Sequence, residues 1–158
     1  IEVIELGANN IVGTPPTELF ALPALSLLSL YSNPLENVDF TGIENARNLK
    51  ELILDETGVS SLAGIEKAQD LEILNLRFNQ LKNGFPSEIA SLTSLHMLTM
   101  AFNDMTGPLP LFLEGLTLMK SLLLSANSLT GNLHGVWNPI RQRLEQRRVP
   151  GFTAHTIR

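Results

Sequence analysis

The stretch that decides the fold is LEILNLRFNQL, residues 71–81, because its frame occurs six times along the chain. Each copy has apolar residues at positions 1, 4, 6 and 11, and five of the six have Asn at position 9. The copies start 24, 24, 22, 24 and 24 residues apart. A fixed period in this range predicts a solenoid, whose surface is suited to binding rather than catalysis. The other copies are IEVIELGANNI from Ile1, LSLLSLYSNPL from Leu25, LKELILDETGV from Leu49, LHMLTMAFNDM from Leu95 and MKSLLLSANSL from Met119.

Positions 3 to 7 of each copy alternate between outward and inward residues, which is the periodicity of a β-strand. Six such strands side by side would form a parallel sheet about 24 Å across. Position 9 is expected to point inward, where a side-chain amide can satisfy the backbone groups of the turn that follows the strand. Position 9 is occupied by Asn9, Asn33, Thr57, Asn79, Asn103 and Asn127. The inward pairs at positions 4 and 6 are Ile4/Leu6, Leu28/Leu30, Leu52/Leu54, Leu74/Leu76, Leu98/Met100 and Leu122/Leu124.

The six copies resemble the leucine-rich repeat family over residues 1–140, with repeats starting at residues 1, 25, 49, 71, 95 and 119. The second halves LKNGFPSEIASLTS, MTGPLPLFLEGLTL and IVGTPPTELFALPA resemble the plant-type form of the repeat. The 22-residue copy, with VSSLAGIEKAQD, resembles instead a short subtype found in cytosolic regulators, and its Leu62, Ile65 and Ala68 are expected to point inward. The resemblance implies an α/β solenoid. Its parallel sheet would line a concave face, and 3₁₀ or irregular segments would form the convex face.

Residues 141–158 lie outside the repeat frame and are predicted to form a basic tail or cap. The formal net charge of the chain is −5, and residues 141–158 contain five Arg and one Glu. The segment has three interpretations: a C-terminal cap, a disordered tail or a basic patch for an acidic partner. Residues 1–140 contain six Lys or Arg against fifteen Asp or Glu, which argues against a general nucleic-acid binder.

The chain starts within the repeat pattern, because Ile1 occupies the first apolar position and no Met precedes it. We interpret the chain as an internal fragment of a longer protein, and we expect an uncovered edge at residues 3–7. No apolar run reaches the length of a membrane span, so none is predicted. The chain contains no cysteine. Disulfide caps and cysteine-ligated metals are therefore excluded from it.

No arrangement of residues predicts catalysis, a metal site or a cofactor. His96, His134 and His155 have no partner at metal-ligand spacing, and no phosphate loop, dinucleotide fingerprint or nucleophile elbow is present. The acidic residues are scattered and do not recur as pairs. We therefore expect a protein that is not an enzyme and that carries no cofactor.

The binding candidates are outward residues of the second to fifth repeats, where aromatic, Arg and apolar side chains are mixed as in interface hot spots. Position 3 is often apolar for packing between strands, and Phe at position 8 can pack along the turn. Position 7 has no evident packing role, so Tyr31 and Arg77 rank highest. One strand spacing separates Asp55 from Arg77, which predicts an ion pair. The candidates are Tyr31, Ile53, Asp55, Ile73, Arg77, Phe78, Met97 and Phe102.

Two functions fit these residues. The first is a protein- or peptide-recognition segment of a receptor-like leucine-rich repeat protein, which binds through its concave sheet at the extracellular face of the plasma membrane. The second is a cytosolic scaffold or regulatory subunit that docks a partner enzyme. The plant-type copies favour the first; the 22-residue copy, the missing cysteines and the lack of an Asn-x-Ser/Thr site favour the second.

Overall fold

The computed structural model describes residues 1–131, which form a leucine-rich repeat solenoid of short parallel strands. The strands of the first sheet occupy positions 3 to 5 of each repeat and are shorter than the predicted 3 to 7. Backbone hydrogen bonds between neighbouring repeats nevertheless continue at positions 6 and 8, for example from Leu54 to Asn75 and from Glu56 to Arg77. The predicted tail, residues 141–158, and the last part of the predicted 1–140 unit lie outside the described residues. The strands of this part of the chain are β1 Val3–Glu5, β2 Leu27–Ser29, β3 Glu51–Ile53, β4 Ile73–Asn75, β5 Lys82–Asn83, β6 Met97–Thr99, β7 Asp104–Pro108, β8 Ser121–Leu123 and β9 Ser128–Thr130.

A six-stranded sheet joins β1, β2, β3, β4, β6 and β8 in that order, and every pairing is parallel. The register pairs equal repeat positions: Leu52, for example, lies opposite Leu74, and Leu74 lies opposite Leu98. Residues at one repeat position therefore form a lane that crosses the sheet, with one residue about every 4.8 Å. This register confirms the frame that the sequence predicts.

The core is a row of stacked apolar layers under this sheet. Leu52, Leu54, Leu74 and Leu76 have no exposed surface, and Leu62, Ile65 and Ala68 of the short repeat are buried as predicted. The inward prediction is wrong for Leu6, which is 41% exposed. Leu6 lies on the outermost strand of the sheet, so a neighbouring repeat covers it on one side only.

The opposite side of the repeats carries 3₁₀ segments and a second, shorter sheet. In the second sheet β5, β7 and β9 are paired in parallel, and they follow the Asn of the fourth, fifth and sixth repeats. The 22-residue repeat has no strand at this place in the described chain. Its 3₁₀ segment has three residues, against five in the fourth and fifth repeats. The first two repeats form only an isolated bridge here, between Gly13 and Leu35. The 3₁₀ segments are Thr17–Ala21, Ile43–Asn45, Ile65–Lys67, Ser87–Ser91 and Leu111–Gly115.

Helical structure within residues 1–131 is limited to these short segments. None of the helices in this region has the length and hydropathy that crossing a membrane requires.

Candidate functional site

The backbone at position 8 adopts the same left-handed conformation in every repeat. The φ angles are 54° at Ala8, 50° at Ser32, 54° at Glu56, 53° at Phe78, 57° at Phe102 and 54° at Ala126. This conformation costs a residue with a Cβ roughly 1–2 kcal/mol. We call the row of these six residues the position-8 lane. Because the backbone angles agree, the lane presents its side chains in the same direction at the edge of the first sheet.

Hydrogen bonds between repeats hold this conformation. In the first five repeats the backbone N–H of the position-8 residue donates to the carbonyl of position 7 in the next repeat, at 2.9 Å from Glu56 to Arg77 and 3.1 Å from Phe78 to Ala101. Position 9 adds a side-chain ladder. Asn103 Nδ2 donates to the carbonyls of two repeats, and its Oδ1 accepts the backbone N–H of Leu81 at 3.0 Å. The expected amide ladder is therefore present.

Phe78 and Phe102 form an exposed stacked pair in the position-8 lane. Their ring centroids are 4.3 Å apart, the planes are inclined by 19°, and the residues remain 43% and 45% exposed. The separation is close to the strand spacing of about 4.8 Å, so the shared backbone conformation places the rings face to face. Both were predicted as contact residues, and the structure brings them together.

Arg77 lies against this pair of rings. Its Cζ is 5.2 Å from the centroid of Phe78 and 5.9 Å from that of Phe102, within the range of cation–π attraction. The guanidinium is therefore held over the aromatic pair. The sequence grouped these three residues as candidates but did not predict this contact.

The predicted ion pair between Asp55 and Arg77 is wrong. Within residues 1–131 the ion pairs are Lys50–Glu72 and Lys67–Glu44, each at 3.4 Å. Asp55 Oδ1 instead accepts the backbone N–H of Arg77 at 2.7 Å. The carboxylate is thereby held at the start of the turn, while the Arg77 side chain is drawn to the aromatic rings.

Asp55 is partly removed from water at this place. Burial raises the pKa of its carboxyl above the usual 3.8, against the opposing effects of the Arg77 hydrogen bond and charge. The neighbouring Glu56 carboxylate raises the pKa further. Glu56 was not among the sequence candidates, although it belongs to the position-8 lane; its Oε2 accepts a hydrogen bond from Ser32 Oγ at 2.8 Å.

Tyr31 has a packing role that the sequence analysis missed. Its ring lies across Gly7, where an added Cβ would overlap Tyr31 Cε1 and Cδ1. Gly7 and Tyr31 are neighbours in the position-7 lane, and the signal available in the sequence was the glycine beside the aromatic residue. Tyr31 is still 42% exposed and keeps a surface for contact.

The remaining candidates lie on the strands themselves. Ile53 and Ile73 are half-buried on β3 and β4, and Met97, which pairs with Ile73 across β4 and β6, is 37% exposed. The outward lane at position 5 is less open than expected, because Ser29 and Thr99 are buried. Side chains of neighbouring strands crowd one another on this face.

Comparison with known proteins places this arrangement in a family. The sequence profile described as Leucine Rich Repeat matches residues 70–92. The described solenoid has the same repeat over its whole length. The described residues form leucine-rich repeats. No curated protein matches the full sequence.

Several solved leucine-rich repeat structures are similar to it. The ectodomain of the Arabidopsis receptor kinase HAESA is 27% identical, with a TM-score of 0.76 over 87% of this chain and 24% of that one. The ectodomain of the Arabidopsis thaliana membrane receptor kinase GASSHO1/SCHENGEN3 is 28% identical, with a TM-score of 0.73 over 83% of this chain and 16% of that one. A leucine-rich repeat protein of Leptospira interrogans is 29% identical, with a TM-score of 0.67 over 82% of this chain and 38% of that one.

This leucine-rich repeat chain thus spans a minor part of each of these proteins. Its fold is typically a binding scaffold and not a catalytic one. In the described part of the chain, no three His, Asp or Glu residues come close enough together to hold a metal ion. The surface residues that the geometry does bring together are those of positions 7 and 8.

Proposed function

We propose that this chain is a protein- or peptide-recognition segment of a receptor-like leucine-rich repeat protein, and that it binds through the concave sheet and its position-7 and position-8 edge. The observation that carries the proposal is the exposed Phe78–Phe102 stack with Arg77 held against it. Aromatic and Arg side chains are the residues most enriched among interface hot spots.

The exposed rings of Phe78 and Phe102 offer a partner apolar surface to bury. The two rings remain more than two-fifths exposed even though they stack on each other. Covering this apolar surface with a partner would remove it from water, at about 25 cal/mol per Å². The rings lose little freedom on binding, because each already has a fixed neighbour. The surface is therefore preorganised for contact.

The half-buried strand residues extend this surface. Ile53, Ile73 and Met97 supply an apolar floor on adjacent strands, while Asp55 and Tyr31 border it on the side of the earlier repeats. An extended segment that crosses the strands can contact the floor and the aromatic edge together. This geometry favours a peptide or a protein loop over a small molecule.

The similar structures support the same class of ligand. The HAESA ectodomain was solved in complex with an IDA peptide hormone ligand, and GASSHO1/SCHENGEN3 in complex with CASPARIAN STRIP INTEGRITY FACTOR 2. By analogy, we propose a location at the extracellular face of the plasma membrane and a role in signal transduction.

A second candidate function is a cytosolic scaffold that docks a partner enzyme. The 22-residue repeat favours it, because its second half, VSSLAGIEKAQD, resembles the short subtype found in cytosolic regulators and contributes no strand to the second sheet. Sequence flanking the chain separates the two functions: a signal peptide and a membrane span support the receptor, and a further cytosolic domain supports the scaffold.

A selection from a phage-displayed library of random linear peptides tests the binding proposal. The selected peptides should lose about 1–2 kcal/mol of binding free energy on Arg77→Ala and on Tyr31→Ala. Lys67→Ala is the control, because Lys67 is exposed in the 3₁₀ segment on the opposite side. The proposal fails if the peptides respond to Lys67→Ala and ignore both concave-side changes.

A further inference from the structure

The Phe78–Phe102 stack ends where the position-8 lane changes from aromatic to small residues. Phe102 has Phe78 on one side, and the next residue in the lane is Ala126, which is exposed. Ser125, the residue before it, is exposed as well. Within residues 1–131 the side of Phe102 towards the sixth repeat therefore faces a notch whose floor is a methyl group.

The notch has the spacing of one more ring. The lane repeats about every 4.8 Å, and stacked rings prefer centroid separations of about 4.5–7 Å. Ala126 also has the backbone conformation of the two phenylalanines, with φ 54° against 53° and 57°. A ring placed over Ala126 would thus stand in line with the existing pair, at a separation at which aromatic groups attract.

The charge of Arg77 beside the stack indicates which chemical group of a partner would lie next to such a ring. Arg77 has no carboxylate partner among the ion pairs of the described residues, and its Cζ is 5.9 Å from the Phe102 centroid. The neighbouring Asp55 uses Oδ1 to accept the Arg77 backbone N–H. The guanidinium is therefore held in place on the rings with donors left for an acidic group of a partner.

We propose that a peptide partner places an aromatic side chain over Ala126 as the third ring of the Phe78–Phe102 stack, with an adjacent carboxylate at Arg77. This proposal rests on the proposed function and specifies its ligand: an extended segment in which an aromatic residue stands next to an acidic group. The ring would gain stacking against Phe102, and the carboxylate would gain a charged partner that is already oriented.

The test uses the full chain, labelled for NMR, and three small probes. N-Acetyl-L-tryptophan carries a ring and a carboxylate, N-acetyl-L-tryptophanamide carries the ring alone, and cellobiose is a sugar that can also stack on aromatic rings. We expect N-acetyl-L-tryptophan to shift the Ala126 methyl and the Phe102 ring signals. The amide should bind about threefold more weakly, because it lacks the partner of Arg77.

Ala126→Phe is the decisive variant, because it fills the notch from within. Phenylalanine already occupies this conformation at Phe78 and Phe102, so the fold should accept the change. Binding of both tryptophan probes should fall by about fivefold or more, the amount expected when ring stacking is lost. Ala8→Phe is the matched control: it has the same lane position and the same φ of 54°, but its neighbour is Ser32. It should leave binding unchanged.

Two further variants test the proposal even if the Ala126→Phe protein does not fold. Phe102→Leu removes the ring but retains an apolar side chain, and it should weaken both tryptophan probes. Arg77→Gln should make the acid and the amide bind equally. The inference is overturned if Ala126→Phe binds both tryptophan probes as the unchanged protein does, or if cellobiose alone shifts the Ala126 methyl. If library-selected peptides still bind the concave side in that case, the proposed function stands and the notch alone is refuted.

Discussion

From the amide ladder we predict how much the substitution Asn103→Ala lowers the free energy of unfolding. Asn103 is 7% exposed. Asn103 Nδ2 donates to the carbonyl of Leu76 at 2.9 Å and to that of Met100 at 3.1 Å, and Oδ1 accepts from the backbone N–H of Leu81 at 3.0 Å. Nδ2 also donates to the carbonyl of Ala101 at 3.4 Å, so Asn103→Ala removes four hydrogen bonds. The Ala101 carbonyl keeps the backbone N–H of Phe78 as a donor. The carbonyl of Met100 keeps a second donor, Asn127 Nδ2 at 2.9 Å.

The loss in the free energy of unfolding comes from the two backbone groups that have no hydrogen-bond partner in the amide ladder other than Asn103. The carbonyl of Leu76 and the N–H of Leu81 belong to fully or nearly fully buried residues. A buried polar group left unpaired costs about 1–3 kcal/mol, so the loss of partners for these two groups should lower the free energy of unfolding by about 2–6 kcal/mol. Asn103→Asp should cost more than the alanine variant, because an oxygen would replace the donor that faces the Leu76 carbonyl.

Equilibrium denaturation in urea measures these differences. Asn9→Ala is the matched control, because the Asn9 side chain is exposed and its Nδ2 donates only to carbonyls of its own repeat, Leu6 and Gly7. It should change the free energy of unfolding by less than about 1 kcal/mol. Equal losses for Asn9→Ala and Asn103→Ala would refute the argument, since they would show that contacts between repeats add nothing.

Three further predictions concern the core, the first strand and Asp55. Leu76→Ala should cost roughly 2–5 kcal/mol in the same assay, because Leu76 is completely buried, and an unchanged urea midpoint would contradict the register. Amide hydrogens of Val3–Glu5 should exchange faster than those of Ile73–Asn75, because β1 is the outermost strand of its sheet; equal protection in a proven monomer would argue against this. Because the folded-state pKa of Asp55 is raised, its carboxylate opposes folding above that pKa, and the penalty disappears as the pH falls through it. Asp55→Asn should therefore be at least as stable as the unchanged protein at pH 7 and lose that advantage in acid, whereas parallel stability curves would contradict the shift.

The register could be predicted from the sequence, because it depends on one strong physical constraint. A fixed period places an apolar pair such as Leu74 and Leu76 under the sheet in every repeat, and only one register buries all of them. The short repeat kept this rule, since Leu62 and Ile65 are buried in the core although the repeat has 22 residues instead of 24. The core therefore followed from hydrophobic periodicity alone.

The details of the candidate surface depend on smaller energies and were harder to predict. Nothing in the residue types Glu, Phe and Ala favours the left-handed conformation that they share at position 8. Hydrogen bonds between repeats impose it. Arg77 could have paired with Asp55 or stacked on Phe78, and an exposed ion pair and a cation–π contact each contribute only about 0.5–1 kcal/mol. Which of these two contacts Arg77 forms depends on the hydrogen bond that the Asp55 carboxylate already accepts from the Arg77 backbone N–H. The sequence pattern does not show that hydrogen bond.

The repeated backbone conformation also explains why a binding surface can arise here without cost to the core. Position-8 residues are fixed in direction by their backbone but take no part in the buried layers, so Phe, Ala or Glu can stand there in the same fold. Two successive phenylalanines in this lane must then lie within stacking distance, because the strand spacing sets their separation. For the same reason, the residue at position 126 determines how the stack ends. An aromatic residue there would continue the stack within the chain, whereas Ala126 leaves space for a ring of a partner. Under the proposed function, the lane residues therefore select the ligand, while the buried leucines and the amide ladder determine only where those residues lie.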